Sequence, residues 1–310
     1  MSQRISAKSL VKLGFHHLGG LDLVRLYNRR RARILAFHRF PADQTVFERQ
    51  CAYLREHYTP VSLSEIYESV RKDRPLPYNA VALTVDDGYL DFYLHAYPVL
   101  KRHGIPATVF LITDFTDGQT WPWWNQVEYA FAHTTVQTVG ADRDAECLRT
   151  IENLKSIPNR DRMEFVANLP TSFKLDMPRK APSGFEPMTW DQIREMAGNG
   201  IEFGAHTKSH PILSRVETEA ELQQEICGSK QRISDELGRE AVHFCYPNGC
   251  FGDIGGPARR AVEEAHFKTA VTTESGLVDS HADPFMLRRV VLDPDLPDLY
   301  FRQRLAGLRP

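Results

Sequence analysis

The chain has 310 residues, of which 42% are apolar and 25% charged, and a formal net charge of −2. These values describe a soluble globular protein of one large or two small domains, and they exclude the electrostatic footprint of a nucleic-acid binder. Cys51, Cys147, Cys227, Cys245 and Cys250 form no paired metal-binding spacing, and their odd number argues against a complete disulfide framework. With no apolar run of spanning length and no secretory signal pattern, the expected location is cytoplasmic.

The first 32 residues read as a basic helical segment. Lys8, Lys12, Arg25 and Arg29-Arg30-Arg31 alternate with Leu10, Val11, Leu13, Leu18, Leu21, Val24 and Leu26, and Asp22 is the segment's one acid. Two readings stay open. The segment is a helix lying on an anionic membrane surface, or one packed on the domain with a solvated basic face. Gly14, Gly19 and Gly20 interrupt the stripe and favour the second.

From residue 33 a strand–helix–strand rhythm begins. Arg33–Phe37 reads as a strand ending at His38, Phe47–Tyr58 as a helix, and Ser62 as the cap of a second helix. Ala80–Val85 is a buried strand that ends in Asp86-Asp87-Gly88. Tyr89–His103 reads as one helix and Ala107–Ile112 as a strand. Residues 113–187 break the rhythm and read as an inserted helical segment that opens on Trp121-Pro122-Trp123-Trp124. These tryptophans either stack on sugar faces or anchor the insertion. Thr189 caps a helix to Gly198, and Ile201–Ala205 is a strand followed by His206-Thr207-Lys208-Ser209-His210-Pro211. A long helix Glu219–Leu237 leads to strand Val242–Tyr246, which ends in Pro247-Asn248. A helix Pro257–Ala265, strands Thr269–Thr273 and Met286–Leu292, and a helix Leu299–Leu305 complete the chain. The rhythm predicts a parallel α/β sheet or barrel.

Adjacent carboxylates raise each other's pKa, so Asp86-Asp87 at a strand end is costly unless a cation offsets it. One acid can then ligate and the other can act as a base; ordinary turn chemistry is the alternative. His206 and His210, four apart after a strand, are either metal ligands or one capping and one surface histidine. Both pairs, and Tyr246-Pro247-Asn248, fall beyond the C-terminal ends of predicted parallel strands, where catalytic groups of β/α barrels converge. One aspartate and two histidines make a three-donor set with positions left for water and substrate.

Thr84-Val85-Asp86-Asp87-Gly88 and His206-Thr207-Lys208-Ser209-His210-Pro211 resemble two motifs of the polysaccharide deacetylase family, the NodB-homology group of carbohydrate esterase family 4. The resemblance implies an α/β fold, a distorted (β/α) barrel with fewer than eight repeats, over residues 33–310. It implies that Asp86 is the general base and that Asp87, His206 and His210 hold a divalent metal, zinc above Co2+, Ni2+ or Mn2+. It also implies that the backbone at Tyr246-Pro247-Asn248, in particular the Asn248 N–H, receives an oxyanion. The expected activity is removal of N-acetyl groups from an amino sugar of a polysaccharide or its precursor. The alternatives are deformylation of a lipid-linked amino sugar and an inactive carbohydrate-binding relative.

Two departures stand out. The family's third motif carries an arginine where this chain reads Cys245-Tyr246-Pro247-Asn248, and its late Leu-x-His reads Leu287-Arg288-Arg289 here. Arg289 is either a replacement orienter of Asp86 or a surface ion-pair residue. His38, at the end of the first predicted strand, is the candidate for the missing general acid, with an orienting or packing role as the alternative.

Overall fold

The computed structural model describes residues 19–72, 74–136 and 142–308. Eight strands are present: β1 Arg33–Phe37, β2 Thr59–Pro60, β3 Ala80–Val85, β4 Ala107–Leu111, β5 Glu202–Ala205, β6 His243–Cys245, β7 Thr269–Ser275 and β8 Leu287–Val291. Strands β3 to β8 follow one another in order, and β1 pairs with both β8 and β3, closing a barrel of seven parallel strands. The two-residue β2 pairs only with the start of β3, Thr59 against Ala80 and Pro60 against Val81.

Every residue of β1, β3 and β4 is buried, because each strand has two covered faces. Val81, Leu83 and Val85 of β3 pack outward in the large core with the surrounding helices. Ala80 and Ala82 pack inward with Ile34, Phe110, Cys245 and Leu287. Strand alternation therefore aims Thr84, and Asp86 just beyond it, into the barrel bore. The N-terminal mouth of the bore is plugged by Val61, Leu63 and Ile66.

The helices are α1 Gly20–Tyr27, α2 Thr45–His57, α3 Leu63–Lys72, α4 Tyr97–His103, α5 Trp123–His133, α6 Arg143–Ser156, α7 Asn159–Ala167, α8 Leu169–Phe173, α9 Trp190–Gly198, α10 Glu219–Leu237, α11 Gly256–Glu264 and α12 Asp298–Ala306; single turns occur elsewhere. Local capping explains two of the starts. Ser62 Oγ accepts from Glu65 N at 3.1 Å while Ser62 N donates to the Glu65 carboxylate at 2.7 Å. Thr189 and Gln192 form the same reciprocal box at α9.

The single helix expected over Tyr89–His103 is divided. Phe92–Ala96 winds as a wide π-helical turn, and the α-helix starts only at Tyr97, with Pro98 in its first turn. Proline has no N–H to give to a preceding turn, so it begins a helix more readily than it continues one. The expected basic N-terminal segment lies outside the described residues up to residue 18. From there α1 runs to Tyr27, burying Gly20 and Leu21 and exposing Leu23, Leu26 and Tyr27. Asn28 Nδ2 and Arg33 Nε then donate to the carbonyls of Ala306 and Leu305, both at 2.9 Å, tying this start to α12. No helix among the described residues is long and apolar enough to cross a membrane.

The insertion contains α5 to α8, which share a core of their own built on Trp123, Val127, Phe131, Ile151 and Leu154. Arg162 of α7 is fully buried in it, its guanidinium 5.1 Å from the Trp123 ring; burial pushes its pKa down to about 10.

Gly204 of β5 sits in register with Phe110, and a Cβ there would lie 2.6 Å from the His243 carbonyl oxygen and 2.7 Å from the Phe110 ring. Backbone cannot yield as a side chain does, so Gly204→Ala is expected to destabilise the barrel by about 1–3 kcal/mol. Urea unfolding measures it; an unchanged midpoint would show that the bore has slack at this layer.

Candidate active site

At the C-terminal mouth of the barrel a cleft of about 440 Å3 is lined by His38, Asp86, Asp87, His206, His210 and Asn248, with the insertion as its far wall. Asp86 follows β3, and its amide donates to the Phe37 carbonyl of β1 at 2.9 Å. Asp87 comes next with φ of +73°, and Gly88 with φ of +89°. Gly88 has no substitute here, since a Cβ would lie 2.8 Å from the Leu111 side chain and the backbone is left-handed. Seven non-glycine residues of the described chain have positive φ, and four of them, Asp87, Thr207, His210 and Asn248, belong to this rim. Such conformations cost about 1–3 kcal/mol each and persist where the surroundings over-determine them.

Those surroundings are visible at the His206–His210 loop. Thr207 Oγ1 accepts from His210 N at 3.0 Å. Glu225, reaching up from α10, accepts from Lys208 N at 2.8 Å, Ser209 N at 2.9 Å and Ser209 Oγ at 2.7 Å. Burial raises the pKa of the Glu225 carboxyl, against the pull of these bonds. Nothing in the sequence marks Glu225, because its partners are backbone amides of a loop on another element.

His206 Nδ1–H donates to the Cys245 carbonyl at 2.7 Å, which fixes the tautomer and leaves Nε2 as a lone-pair donor. That Nε2 is 3.6 Å from Asp87 Oδ1, and His210 Nε2 is 3.8 Å from the same oxygen. These separations are too long for hydrogen bonds. They approach the edge of a tetrahedral shell, about 3.3–3.6 Å for ligands at 2.0–2.2 Å. All three residues are buried. Burial lowers both imidazole pKa values, that of His210 most, which favours neutral rings, and burial raises that of Asp87. A buried carboxylate facing two imidazole Nε2 atoms, neither at hydrogen-bond distance from it, fits a divalent ion.

Asp86, His206 and Cys245 also lie close together, but they do not make a second centre. Arg289 already occupies both oxygens of Asp86, and its Nη2 lies 3.2 Å from Cys245 Sγ, which sets a cation where a second ion would have to sit.

Arg289 is fully buried in the bore. Its Nη1 and Nη2 each donate to one oxygen of Asp86 at 2.7 Å, Nη1 also reaches Thr84 Oγ1 at 3.1 Å, and Nε donates to the Thr272 carbonyl at 2.7 Å. Burial alone would raise the Asp86 pKa, but the guanidinium fork holds it well below the usual carboxylate range. His38 stands on the open side, Nε2 3.6 Å from Asp86 Oδ2, with its side chain 42% exposed. The Tyr246 ring is buried edge-on to Phe244, and its buried hydroxyl has no hydrogen-bond partner among the described residues. Asn248 lines the cleft, and its carbonyl accepts from Thr273 Oγ1 at 2.6 Å.

Of the four-residue aromatic stretch, Trp121 and Trp123 are buried anchors, whereas Trp124 is half-buried in the cleft wall, its ring 4.5 Å from that of His210. One helical turn on, Glu128 lines the same cleft. Its place on the wall was not read from the sequence; the Trp124–Glu128 spacing on one helix face is the one signal that points to it.

The sequence profile described as polysaccharide deacetylase matches residues 73–269. The chain belongs to the polysaccharide deacetylase family. The putative polysaccharide deacetylase YxkH of Bacillus subtilis is 23% identical over 283 residues, covering 89% of this chain and 76% of that one. The poly-β-1,6-N-acetyl-D-glucosamine N-deacetylase of Escherichia coli K12 is 45% identical over 74 residues, a local match covering 23% of this chain and 11% of that protein. The fold is shared with the Streptococcus pyogenes deacetylase PplD in complex with acetate, at a TM-score of 0.62 and 19% identity over 90% of this chain and 99% of that one. IcaB from Ammonifex degensii superposes at a TM-score of 0.60 with 21% identity, over 89% and 96% of the two chains.

The Arg289–Asp86 pair lies wholly out of water, so removing one partner strands the other's charge. Arg289→Ala is expected to cost about 3–5 kcal/mol of folding stability. Adding Asp86→Asn to that variant should return a large part, because the stranded charge goes with it. Thermal unfolding of the single and double variants checks this; additive losses would show that the pair is not coupled.

Proposed function

We propose that this deacetylase uses a divalent metal ion to hydrolyse the N-acetyl groups of an amino-sugar polysaccharide. The observation that carries the reading is a buried three-donor set, Asp87, His206 and His210, beside a second carboxylate, Asp86, that an arginine keeps ionised. The local likeness to N-deacetylases of an N-acetylglucosamine polymer supports that substrate class.

Asp87, His206 and His210 would hold the ion, zinc being the best match to two imidazoles and one carboxylate, and when bound it would acidify water and polarise the substrate carbonyl. The protein's own groups have separable tasks. Arg289 orients Asp86 and keeps it charged; the same fork makes it a weak base, suited to an acidified water rather than a bulk one. Asp86 Oδ2, the oxygen nearer His38, accepts the proton of the attacking water. As the C–O bond forms, negative charge grows on the acetyl oxygen. The Asn248 N–H, which has no hydrogen-bond partner among the described residues, is available to it. His38 supplies a proton to the sugar nitrogen as the C–N bond breaks, giving acetate and a free amine. The thiol of Cys245, whose Sγ is 3.5 Å from Asp86 Oδ2, fills the bore beneath the base.

Asp87→Ala, His206→Ala and His210→Ala should each lose bound metal. Asp86→Asn should retain it and lose about two to four decades of turnover. Metal analysis with acetate and formate detection on N-acetylated oligosaccharides checks both. Normal metal in all three ligand variants would remove the site, and formate in place of acetate would change the acyl group.

His38→Ala should keep fold and metal while slowing amide hydrolysis by about 10²-fold or more. Aryl acetates, whose leaving group departs without a proton, should be much less affected. Equal losses on both would make His38 an orienting residue.

A further inference from the structure

The insertion presents two helix faces to the cleft. On α5, Trp124 and Glu128 are four apart and so share one face. On α6, Leu148, Ile151, Glu152 and Lys155 follow the helical repeat along the same wall. The acids on these faces are treated differently. Glu152 is neutralised by Lys155, whose Nζ is 2.6 Å from its carboxylate. Glu128 has no ion-pair partner among the described residues. It is nonetheless held in place. The Tyr89 hydroxyl, three residues beyond Asp86, donates to Asn125 Oδ1 at 2.5 Å, and Asn125 Nδ2 donates to Glu128 Oε2 at 2.7 Å. Tyr89 and Asn125 are buried, so a two-bond relay rooted beside the catalytic strand end fixes a half-exposed carboxylate that lacks a counter-charge.

Its spacing from the ring that packs on His210 is set by the helix. Trp124 makes that contact, and Glu128 lies one turn along from Trp124, about 6 Å on the helix axis. That is about the length of one sugar unit. An oriented anion in this position calls for a cation on the neighbouring unit of the substrate, and the reaction itself makes one: each turnover converts a neutral acetamide into an amine that takes up a proton near neutral pH, the more readily beside a carboxylate.

We propose that Glu128 binds the ammonium group of an already deacetylated sugar next to the unit being processed, so that the enzyme selects sites flanked by its own product. The inference rests on the deacetylase reading above. Trp124 supplies the ring against which that neighbouring sugar lies, and Glu128 reads its charge. The product polymer is then deacetylated in runs rather than at random.

The test compares N-acetylglucosamine oligomers that are fully acetylated with oligomers carrying one free amine at a defined position, using acetate release by the metal-loaded protein. Wild type should prefer the best amine-bearing isomer in kcat/KM by about threefold, the scale of a half-exposed ion pair, and salt should erode the preference. In Glu128→Gln, which keeps the bond from Asn125, that ratio should fall to near one. Binding of a fully deacetylated oligomer, followed by calorimetry at matched metal content, should weaken by a similar factor. No preference in wild type, or a preference that Glu128→Gln retains, overturns the proposal. Loss of fold or metal in Glu128→Gln would make the residue structural, and overturns it also. No acetate from any oligomer overturns the deacetylase reading and this inference with it. Acetate released equally from all oligomers leaves that reading standing and removes only Glu128's role.

Discussion

The bidentate pair of Arg289 and Asp86 is the constraint on which the site depends. Two charges taken out of water cost several kcal/mol each, and the cost is offset only when the geometry is good and every remaining donor is used. Here Nη1, Nη2 and Nε all have acceptors, drawn from β3, Thr272 of β7 and the thiol of β6. The guanidinium therefore joins four strands, counting its own, at the layer where the bore meets solvent. A carboxylate held this way cannot turn away, and it stays ionised although it is buried.

That pair also explains how two adjacent aspartates act differently. Alternation along β3 sends Asp86 into the bore, where a permanent cation awaits it. The left-handed turn at Asp87 swings the next carboxylate toward two neutral imidazoles. One acid is paired within the protein and the other faces two imidazoles beyond hydrogen-bond distance. The strained backbone of the rim is maintained by the Glu225 bonds to one loop, from outside the cleft, and by the bond from Thr273, in the cleft wall, to the Asn248 loop.

Much of this was legible in the chain. Near-continuous apolar runs gave β1 and β3 their bounds, because strands covered on both faces are mostly apolar. Ser62 and Thr189 announced helices through reciprocal capping, a signal contained within four residues. The two Asp and two His positions could be placed at one rim because strand ends in a parallel barrel converge. Less local features were hidden. The two residues of β2 are too few to form a pattern, and the turn before Pro98 hid inside a helical periodicity. The burial of Arg289 depends on which way β8 faces, and a reading of Leu287-Arg288-Arg289 alone left bore and surface equally open. The relay from Tyr89 through Asn125 to Glu128 joins a strand end to an insertion, a relation that no spacing in the sequence encodes.

The closure of the barrel has a consequence for the birth of the chain. β1 pairs with β3 within the first third of the sequence, whereas its other neighbour, β8, is made almost at the end. During synthesis Asp86 emerges 203 residues before the arginine that neutralises it, and until then one edge of β1 has no strand beside it. The ribosome thus releases Asp87, His206 and His210 before the barrel can seal. The final seam and the counter-charge of Asp86 arrive in the same five residues, so a nascent chain that stalls short of β8 has an open sheet edge and a hydrated acid in place of the buried pair.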